Sequence, residues 1–223
     1  DVWIGNPNAP DKPFRAMLII RNDAGYLRLS ELLTAAYVGK DRNVHHAELN
    51  PEWLENGDNS GLICLSGAHY GEVGVNLLNG NEDAARAAAL KYAAWFPDAF
   101  YLELQRLPER PEWEACVSGS VKLAEELGLP VVATHPTQFM SRDDFNAHEA
   151  RVCIAGGWVL TDKKRPRDFT PSQFFIPPET MLERFADLPE ALENTVEIAK
   201  RCNIHITLGK NFLPLFPTPD GLS

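Results

Sequence analysis

The sequence predicts an α/β fold, a parallel sheet or barrel with helices on its outside. Two observations carry this. Short apolar runs rich in Val, Ile, Leu and Phe (Phe14–Ile20, Gly61–Ser66, Phe100–Leu104, Val131–Thr134) alternate with stretches of helical periodicity. Strand and helix alternate in this way up to Val132, with crossovers of the length that parallel strands require. A third observation bounds the size: 223 residues with 44% hydrophobic content suffice for one sizeable core and are few for two.

In chain order, Asp1–Ile4 alternates as a strand, and Gly5–Pro10 is turn-rich. Phe14–Ile20 is a second strand, closed by Arg21-Asn-Asp23. Tyr26, Leu29, Leu32 and Leu33 recur at helical spacing, which predicts a helix over Ala24–Val38. Asn50-Pro51 is a helix start, with a capping Asn and Pro at the first helical position. Gly61–Ser66 is a buried strand running into the glycine-bounded loop Gly67–Gly71. Asn81–Phe96 is an Ala-rich helix with Glu82 and Asp83 in its first turn, where the helix dipole favours acids. Phe100–Leu104 is the next strand, and Glu112–Leu127 a helix ended by Gly128 and followed by Pro130. Val131–Thr134 then leads into His135-Pro-Thr-Gln-Phe-Met140.

Past Ser141 the character changes to short helices (Asp143–Ala155, Glu179–Phe185, Pro189–Cys202) joined by proline-rich links. A tail, Leu213–Gly221, reads as a surface-wrapped segment or the start of a connection. The chain is therefore divided into an α/β part, residues 1–140, and a helical part, residues 141–223. It lacks an initiating Met and opens abruptly on a strand, so it is expected to be a piece of something longer.

Composition excludes several classes of function. A net charge of −10 argues against a dedicated nucleic-acid surface, because phosphate contacts need clustered Lys and Arg; Lys163–Arg167 is the one basic run. The cysteines Cys64, Cys116, Cys153 and Cys202 are far apart, without a Cys-x-x-Cys pair, and read as buried thiols of a reducing cytoplasm. No apolar run approaches the ~20 residues of a membrane span, and no membrane contact is expected.

Chemistry in such folds gathers at the C-terminal ends of strands. There the chain offers Asp1, Arg15, Ala68-His69, Glu103 and His135-Pro136-Thr137-Gln138. His69, among glycines, suits a ligand or phosphate contact. His135 stands at a strand end but precedes Pro136, which has no N–H. His45-His46 reads as a solvated loop, His148 as a helix-surface or core hydrogen-bonding residue, and His205 as one side of a short strand with Ile204 and Ile206. A metal-dependent phosphoesterase needs converging His, Asp and Glu side chains. Arg15 would repel a cation, and neither a nucleotide-binding Gly-x-x-x-x-Gly-Lys-Ser/Thr loop nor a Gly-x-Ser-x-Gly elbow is found.

Several stretches resemble one family closely: Gly61-Leu-Ile-Cys-Leu-Ser-Gly67, Phe100-Tyr-Leu-Glu-Leu-Gln-Arg106, Leu129-Pro-Val-Val-Ala-Thr134, Asp144-Phe-Asn-Ala-His-Glu149, Pro189–Asn203 and Phe212–Thr218. They resemble the polymerase-and-histidinol-phosphatase (PHP) domain of bacterial DNA polymerase III catalytic α subunits, over essentially the whole chain. The resemblance implies a distorted parallel barrel, incomplete at its N-terminal side, with a helical C-terminal extension. An opening strand bearing His-x-His would precede Asp1. An open barrel of this kind would expose sheet edges, so it implies either a neighbour against the edge or strands outside this sequence.

The resemblance also implies a metal site from which ligands have been lost. Asp1 matches an acidic ligand; Arg15 falls where metal-binding members have His, and Ala68 where some have Cys. Where intact members read Thr-Asn-Asp-x-His, this chain reads Thr134-His-Pro136-Thr-Gln138, so an Asp and a His are replaced. His69 and His135 stay as weak candidates, and no catalytic, cofactor or metal residue is assigned. For the parent, the resemblance implies template-directed DNA synthesis with Mg2+ at carboxylates beyond Ser223. It implies a cytoplasmic replicase, DNA bound through the parent chain, and a scaffold role for this region that docks a separate proofreading exonuclease subunit. The alternative implied is a working metal-dependent phosphoesterase, pyrophosphatase or 3′–5′ exonuclease.

Overall fold

A computed structural model of the chain describes residues 1–40, 42–44 and 47–213. Five strands form one mixed sheet in the order β1 (Val2–Ile4), β2 (Phe14–Ile20), β3 (Leu62–Leu65), β4 (Phe100–Gln105), β5 (Val131–Thr134). β3, β4 and β5 are parallel, with Cys64 opposite Phe100 and Leu102 opposite Val131. The expectation of parallel strands fails at the other side of the sheet. β2 runs antiparallel to both β1 and β3, pairing Trp3 with Arg15 and Met17 with Leu65. For β1 and β2 the physical reason is connection length: only a turn-rich loop joins them, too short for a crossover. The sheet does not close on itself, and among the described residues no pairing runs from β5 back to β1.

Both sheet edges are partly met from within the chain. Beside β1, Leu49 N–H donates to Trp3 O (2.7 Å) and Gly5 N–H to Leu49 O (2.9 Å). Beside β5, the Asn194 side-chain amide donates to Val131 O (2.8 Å). Each contact occupies backbone groups that an open edge would leave bare.

Eight α-helices surround the sheet among the described residues: α1 (Asp23–Val38), α2 (Pro51–Glu55), α3 (Glu72–Leu78), α4 (Glu82–Trp95), α5 (Trp113–Leu127), α6 (Phe145–Gly156), α7 (Pro178–Arg184) and α8 (Pro189–Arg201). α1 starts where Asn22 Oδ1 accepts from Gly25 N–H, and α2 where Asn50 Oδ1 accepts from Glu52 N–H ahead of Pro51. α5 ends at Gly128 in the left-handed conformation, as its C-terminal glycine predicts. α4 and α5 are the crossovers between the parallel strands. α3, for which the sequence suggested no element, packs against both of them.

The main core lies between the sheet and helices α1, α4 and α5, with Ile4, Leu32, Leu49, Leu62, Ile63, Phe96 and Leu102 almost wholly buried. A second cluster joins Leu104, Val117 and Ala133 to Phe185 and Ala191, and so ties α7 and α8 to the far side of β4 and β5. Three expectations need correction or lie elsewhere. No strand forms at 204–206: His205 and Ile206 are exposed and irregular, because no neighbouring strand is there to pair with. The basic run is not a free patch, since Arg165 is buried against Glu149 at 2.5 Å. His45-His46 and most of the Leu213–Gly221 tail lie outside the described residues.

Candidate functional site at the strand ends

The antiparallel β2 decides which residues meet. Because Met17 pairs with Leu65, the start of β2 lies beside the C-terminal end of β3, so Arg15 joins Ser66, Gly67 and His69. Gly67 sits at φ +80°, and a Cβ there would fall 2.0 Å from Arg15 O, so no other residue fits the turn. The next residue, Ala68, also has positive φ (48°), a conformation that non-glycine residues adopt at a cost of about 1 kcal/mol or more. This tight turn opens a single 3-10 turn, Ala68–Tyr70, which directs His69 inward.

His69 is buried, stacked on Trp113 (ring centroids 3.6 Å apart) and tilted against Tyr70. Both ring nitrogens are buried without a hydrogen-bond partner. Burial pushes its pKa down to about 4, helped by the charges of Arg15 and Arg110. Arg15 itself donates to Asp1 Oδ1 (3.1 Å) across the β1–β2 pair, so the carboxylate at the chain's start already has a cation beside it.

In the middle of the sheet, Glu103 is 1% exposed. Its backbone N–H donates to Ser66 Oγ (2.9 Å), and its Oε1 accepts from Thr134 Oγ1 (2.5 Å) and Gln105 Nε2 (3.0 Å). Gln105 Nε2 also donates to Thr134 Oγ1 (2.9 Å), which locks the ends of β4 and β5 together. Glu103 Oε2 and Gln105 Oε1 are buried without a partner. Glu103 and Gln105 stand two apart in an otherwise apolar strand, a polar alternation visible in the sequence.

β5 ends at Thr134, and His135 follows it. Its Nε2 lies 3.0 Å from Phe174 O, which can only accept, so Nε2 carries the proton. Nδ1 then accepts from Arg184 Nη1 at 3.2 Å. Burial and the Arg184 charge hold this imidazole neutral by lowering its pKa. Both nitrogens are thus committed. Pro136 is buried and its carbonyl accepts from Gln173 Nε2, whereas Thr137 and Gln138 point to solvent. The structure therefore brings Arg15 beside both Asp1 and the turn that carries Ala68 and His69, ties Glu103 to Ser66 at the end of β3, and turns His135 toward α7 and Gln138 to solvent. Trp113 and Arg184, which position the two histidines, carry no local motif and were not legible in the sequence.

A divalent cation does not fit this donor set. Arg15 is a fixed positive charge beside Asp1, the His135 lone pair is taken, and proline has no side-chain donor. Among the described residues no group of three or more His, Cys, Asp or Glu is placed to hold a metal ion.

A family model for the PHP domain matches residues 1–107. Over all 223 residues the chain is 98% identical to the DNA polymerase III subunit alpha of Neisseria meningitidis serogroup A / serotype 4A (strain DSM 15465 / Z2491), covering 20% of that protein. It is 45% identical to the subunit alpha of Pseudomonas fluorescens over 224 residues, 19% of that protein. It is 45% identical to that of Escherichia coli (strain K12) over 203 residues, 91% of this chain and 17% of that one. This chain belongs to the PHP-domain region of the DNA polymerase III α-subunit family.

The chain spans about one fifth of the length of these curated relatives. Of the family's PHP fold the described residues hold a mixed five-stranded sheet that stays open. No helix among them is long and apolar enough to cross a membrane.

Proposed function

We propose that this PHP region is a metal-free scaffold within a replicative DNA polymerase α subunit. It packs against the polymerase body and docks the separate proofreading exonuclease subunit. Residues 1–140 supply part of a distorted barrel, and residues 141–223 lead toward the polymerase. The parent adds deoxynucleotides to a primer end with Mg2+ held by carboxylates outside this chain, in the cytoplasm, in company with the other replicase subunits.

The observation that carries the scaffold reading is the Asp1–Arg15 ion pair at the strand ends. Arg15 supplies permanently the positive charge that a bound metal would bring, so the fold keeps its electrostatic balance without the metal's chemistry. The closed hydrogen bonding of His135 and the loss of donors at Pro136 and Gln138 support the same reading.

Full-length α subunit purified without its partner is expected to hold no stoichiometric zinc or manganese in this domain and to remove no 3′-terminal nucleotides. Deleting the region is expected to abolish capture of the exonuclease subunit. Proofreading by α alone that vanishes on Glu103→Gln would refute the reading. A second reading, a working phosphoesterase or 3′–5′ exonuclease, has one observation in its favour: His69 Nδ1 and Nε2 and Glu103 Oε2 are buried without partners. Stoichiometric metal lost on His69→Gln would select it.

A further inference from the structure

The basic run Lys163–Arg167 plays no part in the scaffold reading, yet two of its members, Arg165 and Pro166, line a groove. The groove has a volume of about 430 Å3 and lies between the second half of α6 and the loop that follows it, residues 157–169. Buried Cys153 stands at its base, and Trp158, Pro166 and Phe169 give it apolar walls.

Contacts within the chain form these walls in advance. α6 ends at Gly157, at φ +69°, and Trp158 N–H then donates to Cys153 O (2.8 Å), which sets the direction of the loop. A Cβ on Gly156 would fall 2.7 Å from Trp158 Cδ1, so the indole can lie over the helix end only because residue 156 is glycine. Phe169 stands edge-on to His148, ring centroids 4.6 Å apart, and Arg165 is held by Glu149. A groove formed before binding spares a ligand much of the cost of ordering it.

The surroundings are both apolar and basic. Ile154, Trp158, Val159 and Leu160 are exposed close together in sequence, an apolar display of the kind that marks interaction surfaces. In a chain of net charge −10, residues 151–168 carry five cations against two acids. Arg165 is spent on Glu149, whereas Arg151, Lys163, Lys164 and Arg167 are exposed and in no ion pair among the described residues. The groove therefore suits large apolar side chains, and the cations beside it suit carboxylates. Ile154, Val159 and Leu160 are aliphatic and offer bases no stacking face, which favours a peptide over a nucleic-acid strand.

We propose that this groove docks a short linear segment of a partner protein in which large apolar side chains are flanked by Asp and Glu. The apolar side chains enter between Trp158 and Phe169 over Cys153, and the carboxylates meet Arg151 and the cations of the loop.

The test is selection of a displayed library of random dodecapeptides on immobilised full-length α subunit at low salt. Enriched peptides are then titrated by fluorescence anisotropy against wild type and two variants. Ala155→Trp fills the groove from an exposed position, and Lys163→Glu with Lys164→Glu reverses exposed charges, so neither disturbs the core. Peptides with Trp, Phe or Leu between acids are expected, losing about tenfold or more in affinity on Ala155→Trp. The charge reversal is expected to weaken them about threefold or more and to flatten their salt dependence. No enrichment overturns the assignment, the groove then being covered by the subunit's own chain. So do enriched peptides that lack acids, or affinities that either variant leaves unchanged. A random single-stranded oligonucleotide that binds wild type and is weakened by Ala155→Trp also overturns it, since the site then takes nucleic acid.

Discussion

Arg165→Met removes one half of a buried ion pair and should loosen the segment that follows α6. Arg165 and Glu149 side chains are 6% and 5% exposed and meet at 2.5 Å. The pair is made by Glu149 Oε2, and Oε1 has no hydrogen-bond partner, so the charge depends on the guanidinium. Arg165 further donates to Leu160 O and Pro166 O at 3.3 and 3.4 Å, pinning the loop onto the helix. Breaking such a pair costs about 3–5 kcal/mol because a buried charge is left uncompensated. The low end applies here, since residues 154–160 are exposed and can open to let water reach Glu149. A loss of about 3 kcal/mol raises the local opening constant about a hundredfold. Native-state hydrogen exchange of the full-length subunit, followed by mass spectrometry over 145–170, reads this directly. Adding Glu149→Gln should recover most of the protection, because no buried charge then remains. A single substitution that speeds exchange less than about threefold, or a double variant as loose as the single, would refute the reasoning.

Phe185→Ala empties the second core, where Phe185 is wholly buried among Leu104, Val117, Ala133 and Ala191 and has Arg106 5.0 Å over its ring; about 3–5 kcal/mol should be lost, seen as faster exchange in α7 and α8 together. His69 has a folded-state pKa of about 4 against 6.5 when exposed, so between these pH values the unfolded chain takes up a proton that the fold refuses. Stability should therefore fall as pH drops from 6.5 toward 4, and His69→Gln should flatten that slope in urea titrations of the local unit. Replacing Lys163, Lys164 and Arg167 by Gln should leave DNA affinity of the full chain and its salt slope unchanged; a slope reduced by about three would make this loop a phosphate-binding element.

Much of the fold was legible because its signals are local. The helix over Asp23–Val38 follows from the apolar spacing of Tyr26, Leu29, Leu32 and Leu33, and the crossovers over 82–95 and 113–127 from the Ala-rich and Gly-terminated runs between apolar strands. Glu103 reads from the sequence as a strand-end residue, and its buried network with Gln105 and Thr134 is seen only in the structure. What failed was direction and pairing. Nothing in Phe14–Ile20 states that it lies antiparallel to Leu62–Leu65, and nothing near Ile204 states that no partner strand waits for it.

The sequence by itself determined the α/β class, the strand ends at which chemistry would gather, and the residue types there, among them Arg15 and Pro136. The tertiary structure alone decided what those residues touch. Arg15 reaches Asp1 because β2 turns back against β1. His135 is closed off because α7 brings Arg184 from 49 residues away, and Trp113 covers His69 because α5 crosses over β4. Residue chemistry is written position by position, whereas contacts between distant segments depend on how the strands pair and the helices pack, and no short stretch of chain encodes that.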